Sequence, residues 1–256
     1  MPDVPATWSP VPDVAGQLVD TRFGDIRWFA CIDSTNRYLL AQRDAAPGMV
    51  AVADEQTAGR GRHGRTWTAR PGAALLVSVL LRPQLPADQM HLVTLAAAVA
   101  AIDAVGSVGG FDASVKWPND VVVDDRKLAG ILAEGDGAGA VVVGMGMNVR
   151  ADAFAAQLSE LATAVDLLAD RPVDRSELLV AWLRALDAQL DDMSGVVAAA
   201  GARSATLGRR VRVELARDQV SGTASRLTDD GFLVIQTDDG SEQIVTAGDV
   251  IHLRTA

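Results

Sequence analysis

Residues 113–134 read ASVKWPNDVVVDDRKLAGILAE. Three short pieces of strand character can be cut from this one run, at 113–116, 121–124 and 130–134, with Asp124-Asp125 supplying hairpin-turn chemistry between the second and third. Working outward, residues 25–30, 49–53 and 141–147 also read as strands. The unbroken apolar run at 74–81, closed by Arg82-Pro83, suits a central strand buried on both faces. Helices are few. One is capped by Asp33 or Ser34 and runs to about residue 42, before Pro47-Gly48; a second, almost wholly apolar, covers 89–105. A third starts at Asp174, with Glu177 three residues on as in a capping box, and carries Leu178, Trp182, Leu186 and Leu190 on one stripe beside Leu179 and Leu183. Strand runs with few helices between them predict an α+β fold. Past Gly201 the texture changes to short pieces at 211–215, 222–227, 232–236, 243–246 and 250–253, the spacing of a small barrel. No internal repeat is present.

The chain has 256 residues, 49% hydrophobic, with a net charge of −10. That charge argues against general affinity for nucleic acid or an anionic membrane. The single cysteine, Cys31, cannot form an internal disulfide and suits a cytoplasmic protein. The apolar run at 95–101 is too short to span a bilayer. Pro2, Pro5, Pro10 and Pro12 mark residues 1–20 as a proline-rich tail.

Against this acidic background, GRGRHGRTW (59–67) places three arginines and three glycines at positions 59–65. Such a loop can bring guanidinium forks and backbone N–H groups to one phosphate; taken alone it equally fits an exposed run of solvated charges. It is not a Walker A loop, and its match to a dinucleotide-binding glycine pattern is weak. Lys116 to Asp120 (KWPND) follow a buried Val115, and Lys127 opens KLAGIL (127–132). Either lysine alone fits the surface; two flanking one hairpin suit a site. Asp33-Ser34-Thr35-Asn36 fits a helix cap, and Gly144 to Asn148 fits a strand end.

In this order, GRGRHGRTW, KWPND and KLAGIL resemble the biotin–protein ligases, also called biotin–[acetyl-CoA-carboxylase] ligases, over most of the chain after residue 20. The resemblance is to the type lacking an N-terminal DNA-binding domain. It implies a mixed β-sheet catalytic domain of the biotin/lipoate ligase type at 21–203 and an SH3-like β-barrel at 204–256. It also implies an activity: biotin and ATP give biotinyl-5′-AMP, and biotin then passes to one lysine of the biotin-carrier domain of an acyl-CoA carboxylase. The implied biotin-binding residues are Ser34, Thr35, Asn36, Gln56, Arg60, Gly61, Arg62 and Lys127. The ATP side takes Arg62, Arg65, Lys116, Asn119 and Asn148, with Asp120 toward Mg²⁺. Lys127, Arg62 and Lys116 are the implied catalytic cations. ATP and Mg²⁺ are co-substrates, with no tightly bound metal, and neither DNA nor membrane is an expected partner.

The chemistry asks for this set independently. Attack of a carboxylate on the α-phosphorus brings two anions together, so fixed cations at the transition state are the main catalytic resource. The loop is expected to be mobile until an anion orders it, with Arg62 as a latch, because glycines raise its entropy and like charges repel. His63 stands where family members often carry arginine, and reads as a solvated loop residue. His91 and His252 have no ligand-like spacing, so a histidine metal site is not expected. Three rivals are weighed. A lipoate–protein ligase would want a more apolar pocket than DSTN provides. A DNA-binding repressor needs a helix-turn-helix for which the residues before 21 leave no room. A non-enzymatic biotin or nucleotide binder has no need of Lys116, Lys127 and Asp120 together.

Overall fold

The computed structural model describes residues 7–8, 14–86, 89–215 and 218–253. The first sheet opens with β1 (Thr7–Trp8) and β2 (Ile26–Cys31), passes through α1 (Thr35–Leu40) to β3 (Val50–Ala53), parallel to β2, and returns along β4 (Ala74–Leu81). After α2 (Leu92–Gly109), four antiparallel strands follow: β5 (Ser114–Lys116), β6 (Asp120–Val123), β7 (Arg126–Gly135) and β8 (Val141–Asn148). Because β8 pairs with β4, the order is β1-β2-β3-β4-β8-β7-β6-β5. The opening hairpin is as expected, and Asp124 and Asp125 at φ 49° and 63° make the two-residue left-handed turn that suits strand twist.

All eight residues of β4 are buried, which requires cover on both faces. Leu75, Val77, Val79 and Leu81 face α2 and α3 (Arg175–Asp191), while Leu76 and Leu80 pack in a second cluster with Leu39 of α1. The apolar α2 is longer than the run at 95–101 suggests. Its 18 residues meet the length and composition of a membrane span, but 72% of it is buried inside the chain, where sheet, α3 and α4 (Val196–Ala202) surround it. The Asp174 side chain caps α3 by accepting from Ser176 N–H at 2.7 Å, whereas Glu177 pairs with Arg171 at 2.7 Å instead of reaching back to the cap. The capping box is thus only half formed, because a guanidinium competes successfully for the carboxylate.

The tail reading needs correction. Pro2, Pro5, Pro10 and Pro12 lie outside the described residues, but Thr7–Trp8 pairs with β2, and Val14 and Leu18 are buried in the main core. Proline disfavours helix without preventing two apolar side chains across a short 3-10 turn from packing.

A second, antiparallel sheet holds β9 (Arg210–Glu214), β10 (Gln219–Leu227), β11 (Leu233–Gln236), β12 (Glu242–Val245) and β13 (Asp249–His252), in the order β12-β11-β10-β9-β13. This is the expected small barrel-like unit. It is joined through a hydrogen-bonded seam: Val115 N–H donates to Arg203 O at 2.8 Å and Ala205 N–H to Val115 O at 2.9 Å. Buried Trp117, whose bond to Pro118 is cis, donates its indole N–H to Gly231 O at 3.0 Å. The tryptophan of KWPND is therefore an anchor between the sheets.

Candidate active site

The N-terminus of α1 aims its cap toward the β4–β8–β7 face. Ser34 caps the helix, and Ser34, Thr35 and Asn36 are all buried. Gln56 Oε1 accepts from Thr35 N–H at 2.8 Å and from Thr35 Oγ1 at 3.1 Å. Thr35 Oγ1 lies 2.7 Å from Ser78 Oγ, which donates to Asn36 Oδ1 at 2.6 Å. Asn36 Nδ2 in turn donates to Glu134 Oε2 at 2.8 Å. These bonds fix a polar wall whose rotamers are set before any ligand arrives. The floor is bare because it must be. A Cβ on Gly144 would sit 2.1 Å from Asn36 Oδ1, and one on Gly146 would sit 2.5 Å from the Trp67 indole.

The arginine loop folds back on itself: Gly61 N–H donates to Arg65 O at 2.7 Å and Trp67 N–H to Gly59 O at 3.0 Å, with His63 left-handed at φ 53°. Arg60 pairs with Glu134 at 2.9 Å. Arg62 donates to Asn119 Oδ1 at 3.0 Å and to Gly248 O at 3.3 Å, and Arg65 pairs directly with Asp249. Burial makes the charge of Arg62 costly and holds its pKa below the usual value; Arg65 pushes the same way and Asp120 against it. The loop expected to fold over an anion thus lies against a carboxylate of the same chain.

Lys127 donates to Asp120 Oδ1 at 2.7 Å and stands 5.6 Å from the centre of the Trp67 ring. The buried Trp67 Nε1 has no hydrogen-bond partner, an open donor on the wall of the site. Together these groups enclose a cavity of about 150 Å³. Of the residues singled out from sequence, Ser34, Thr35, Asn36, Gln56, Arg60, Gly61, Arg62, Arg65, Asn119, Asp120 and Lys127 line it. Lys116 and Asn148 do not. Lys116 pairs in register with Asp120, is half-buried, and among the described residues its ammonium has no hydrogen-bond or ion-pair partner. Burial pushes its pKa down against the pull of Asp120 and Asp125. Asn148 is buried and donates to Thr163 O at 3.0 Å and Lys127 O at 3.4 Å, which steadies the strand carrying Lys127. Lining residues without a role in the sequence reading include Trp67, Ser78 and Asp249, and Glu134, also without one, lines the neighbouring cavity under the arginine loop. Ser78 was findable as the lone polar residue in the run at 74–81.

Among the described residues no group of three or more His, Cys, Asp or Glu could hold a metal. One carboxylate is nevertheless enough for Mg²⁺ when it arrives with phosphates, and of the two that line the cavity Asp120 is the one outside the arginine cluster that holds Asp249.

Residues 28–151 match the Biotin/lipoate A/B protein ligase family, and residues 206–253 match the Biotin protein ligase C terminal domain. A biotin--[acetyl-CoA-carboxylase] ligase of Mycobacterium tuberculosis is 39% identical over 238 residues, covering 86% of this chain and 86% of that relative. The chain belongs to the biotin protein ligase family. Among solved structures, the biotin protein ligase of Aquifex aeolicus in complex with biotin and ATP superposes with a TM-score of 0.81 at 26% identity, covering 91% of this chain and all of that one. The biotin protein ligase of Leishmania major in complex with biotinyl-5-AMP gives 0.64 at 26% identity, covering 87% and 99%. Within the biotin protein ligase fold, the bare glycine floor and the arginine loop face each other across one cleft.

Proposed function

We propose that this chain is a biotin–protein ligase that joins biotin to ATP as biotinyl-5′-AMP and passes the biotinyl group to a lysine of a carboxylase biotin-carrier domain. One observation carries the reading: a hydrogen-bonded polar wall of Thr35, Asn36, Gln56 and Ser78 shares a single cavity with Arg62, Arg65 and Lys127. The wall suits a polar ureido ring, and its hydroxyl and amide groups argue against a lipoyl dithiolane. The cations suit a carboxylate meeting a phosphate. In the first step a carboxylate oxygen of biotin attacks the α-phosphorus and the bond to pyrophosphate breaks. Lys127 and Arg62 lower the repulsion between the two anions, while Arg65 and the unpartnered Lys116 receive the departing charge. Mg²⁺, bound with the triphosphate and taking Asp120 as its protein ligand, would add Lewis-acid charge there. In the second step the neutral amine of the carrier lysine attacks the acyl carbon, AMP leaves, and the nitrogen loses a proton.

Asn119 belongs to the ATP side through its bond to Arg62, and Asn148 acts on that side by steadying β7. We divide the chain into a catalytic domain at 21–203, with residues 14–20 packed on it, and a C-terminal domain at 204–256. The activity and the unpaired Cys31 suit the cytoplasm. Exchange of labelled pyrophosphate into ATP tests the proposal without any carrier. It is expected with biotin and absent with lipoate or octanoate, and the reverse pattern overturns it. Mass spectrometry of an apo carrier domain incubated with the protein, biotin, ATP and Mg²⁺ then checks the transfer.

A further inference from the structure

The arginine loop carries more positive charge than its own sheet neutralises. Arg60 is answered by Glu134, but among the described residues no carboxylate of the first sheet lies within ion-pair distance of Arg62 or Arg65, Asp120 acting on Arg62 only from farther off. The counter-charge comes from the other sheet. Asp249, at the start of β13, pairs directly with Arg65, lies 3.7 Å from Arg62 and 3.8 Å from His63, and is the one described cavity-lining residue from the C-terminal sheet. Its neighbour Gly248 offers its carbonyl to Arg62 at 3.3 Å. Arg62 is only 20% exposed, so closing the loop without Asp249 would leave a desolvated guanidinium beside a second one, each raising the cost of the other's charge.

We infer that Asp249 is a positioning residue: it holds the loop at 57–66 closed over the cavity, so that the C-terminal sheet sets how long the activated acyl-adenylate stays in the site. The inference rests on the ligase reading above. It assigns Asp249 no contact with the reacting atoms; Asp249 acts through Arg65 and Arg62. An opposite role is physically available, since a carboxylate bound to those guanidiniums could compete with phosphate for them. The two roles give opposite signs in one experiment.

Biotinyl-adenylate is formed on the full chain and its release is followed after dilution, while hydrogen exchange is read over residues 57–66. Asp249→Asn is expected to speed release about fivefold or more, the scale of losing one partly shielded, shared ion pair. It should also lower protection of the loop with and without biotin and ATP, with exchange in β9–β11 unchanged. Asp249→Glu, which restores the charge, should recover most of both effects. Arg65→Gln, which breaks the same pair from the loop side, should reproduce the loss of protection and covers the case in which Asp249→Asn loosens the C-terminal sheet. Slower release, or tighter ATP binding, in Asp249→Asn makes the residue a competitor and overturns the inference. So does unchanged loop protection, or a Glu variant indistinguishable from Asn. If the parent chain makes no biotinyl-adenylate at all, the ligase reading falls, while the exchange data still decide whether Asp249 closes the loop.

Discussion

Lys127 is held from three directions. Its N–H donates to Leu161 O at 2.8 Å, its carbonyl accepts from Thr163 N–H at 2.9 Å, and its ammonium donates to Asp120 beside the Trp67 ring. A long, flexible side chain is thereby converted into a fixed charge, which is what makes it useful to a transition state and costly to lose. Lys127→Ala should cut biotinyl-adenylate formation by ~100-fold or more, the scale of removing one oriented electrostatic group, with little change in Tm because the side chain is partly exposed. An unaltered rate of adenylate formation in a rapid-quench assay would take Lys127 out of the chemistry. At this scale, charged or amide residues in a glycine-rich or proline-turned setting were legible as cavity residues: Arg62, Arg65, Asn119, Asp120 and Lys127 all line it. Those that act by position were not. Asp249 lies 122 residues after Lys127 in sequence and reaches the cavity only because the second sheet folds back, a contact that no local pattern encodes. Lys116 shows the converse: the sequence singled it out as a site cation, yet it stands half-buried in register with Asp120 without lining the cavity itself.

Elements couple where the β6–β7 hairpin meets β13. Arg209 grips Asp125 with two bonds at 2.5 and 2.9 Å, and His252 places Nδ1 3.2 Å from Asp125 and Nε2 3.4 Å from Thr206 Oγ1. Burial holds the His252 pKa below its ordinary value of 6.5, with Arg209 and Lys116 repelling the proton and Asp125 pulling the other way. The sign of the pH effect follows. Just below pH 6.5 the unfolded chain binds this proton more readily than the folded one, so the contribution of His252 to stability shrinks as pH falls through that window. Asp125 acts elsewhere: Arg209 holds its pKa below 3.8, so its stabilisation persists to far lower pH. Between pH 7 and 5.5 the parent should lose Tm through this group, and His252→Gln should flatten that part of the profile. Parallel profiles for parent and variant in a thermal-unfolding series would remove His252 from the linkage. Strand periodicity and the Asp-Asp turn made this hairpin readable in advance, and the five short C-terminal strands likewise. The N-terminal segment was misread because proline content reports what a backbone cannot do, not whether Val14 and Leu18 find a core.

Across the whole molecule the charge is sorted rather than spread. A net −10 is compatible with a strongly cationic cleft because Arg62, Arg65 and Lys127 line the cavity with Lys116 just behind it, while many of the other arginines are matched by acids. Arg22 pairs with Asp187 and Asp191, Arg184 with Asp20, Arg210 with Asp238, and Arg226 with Glu242. Each surface pair contributes little stability, but together they leave a surface on which a long polyanion finds few phosphate partners. Binding of duplex DNA draws on counterion release from several neutralised phosphates at once, and each contact makes the affinity steeply salt-dependent. We therefore expect no retardation of a biotin-operon fragment in a mobility-shift titration reaching micromolar protein at physiological salt, with or without biotin and ATP. Sequence-specific retention at nanomolar protein that weakens steeply with added salt would show that the described surface carries a cationic face which its ion pairs conceal.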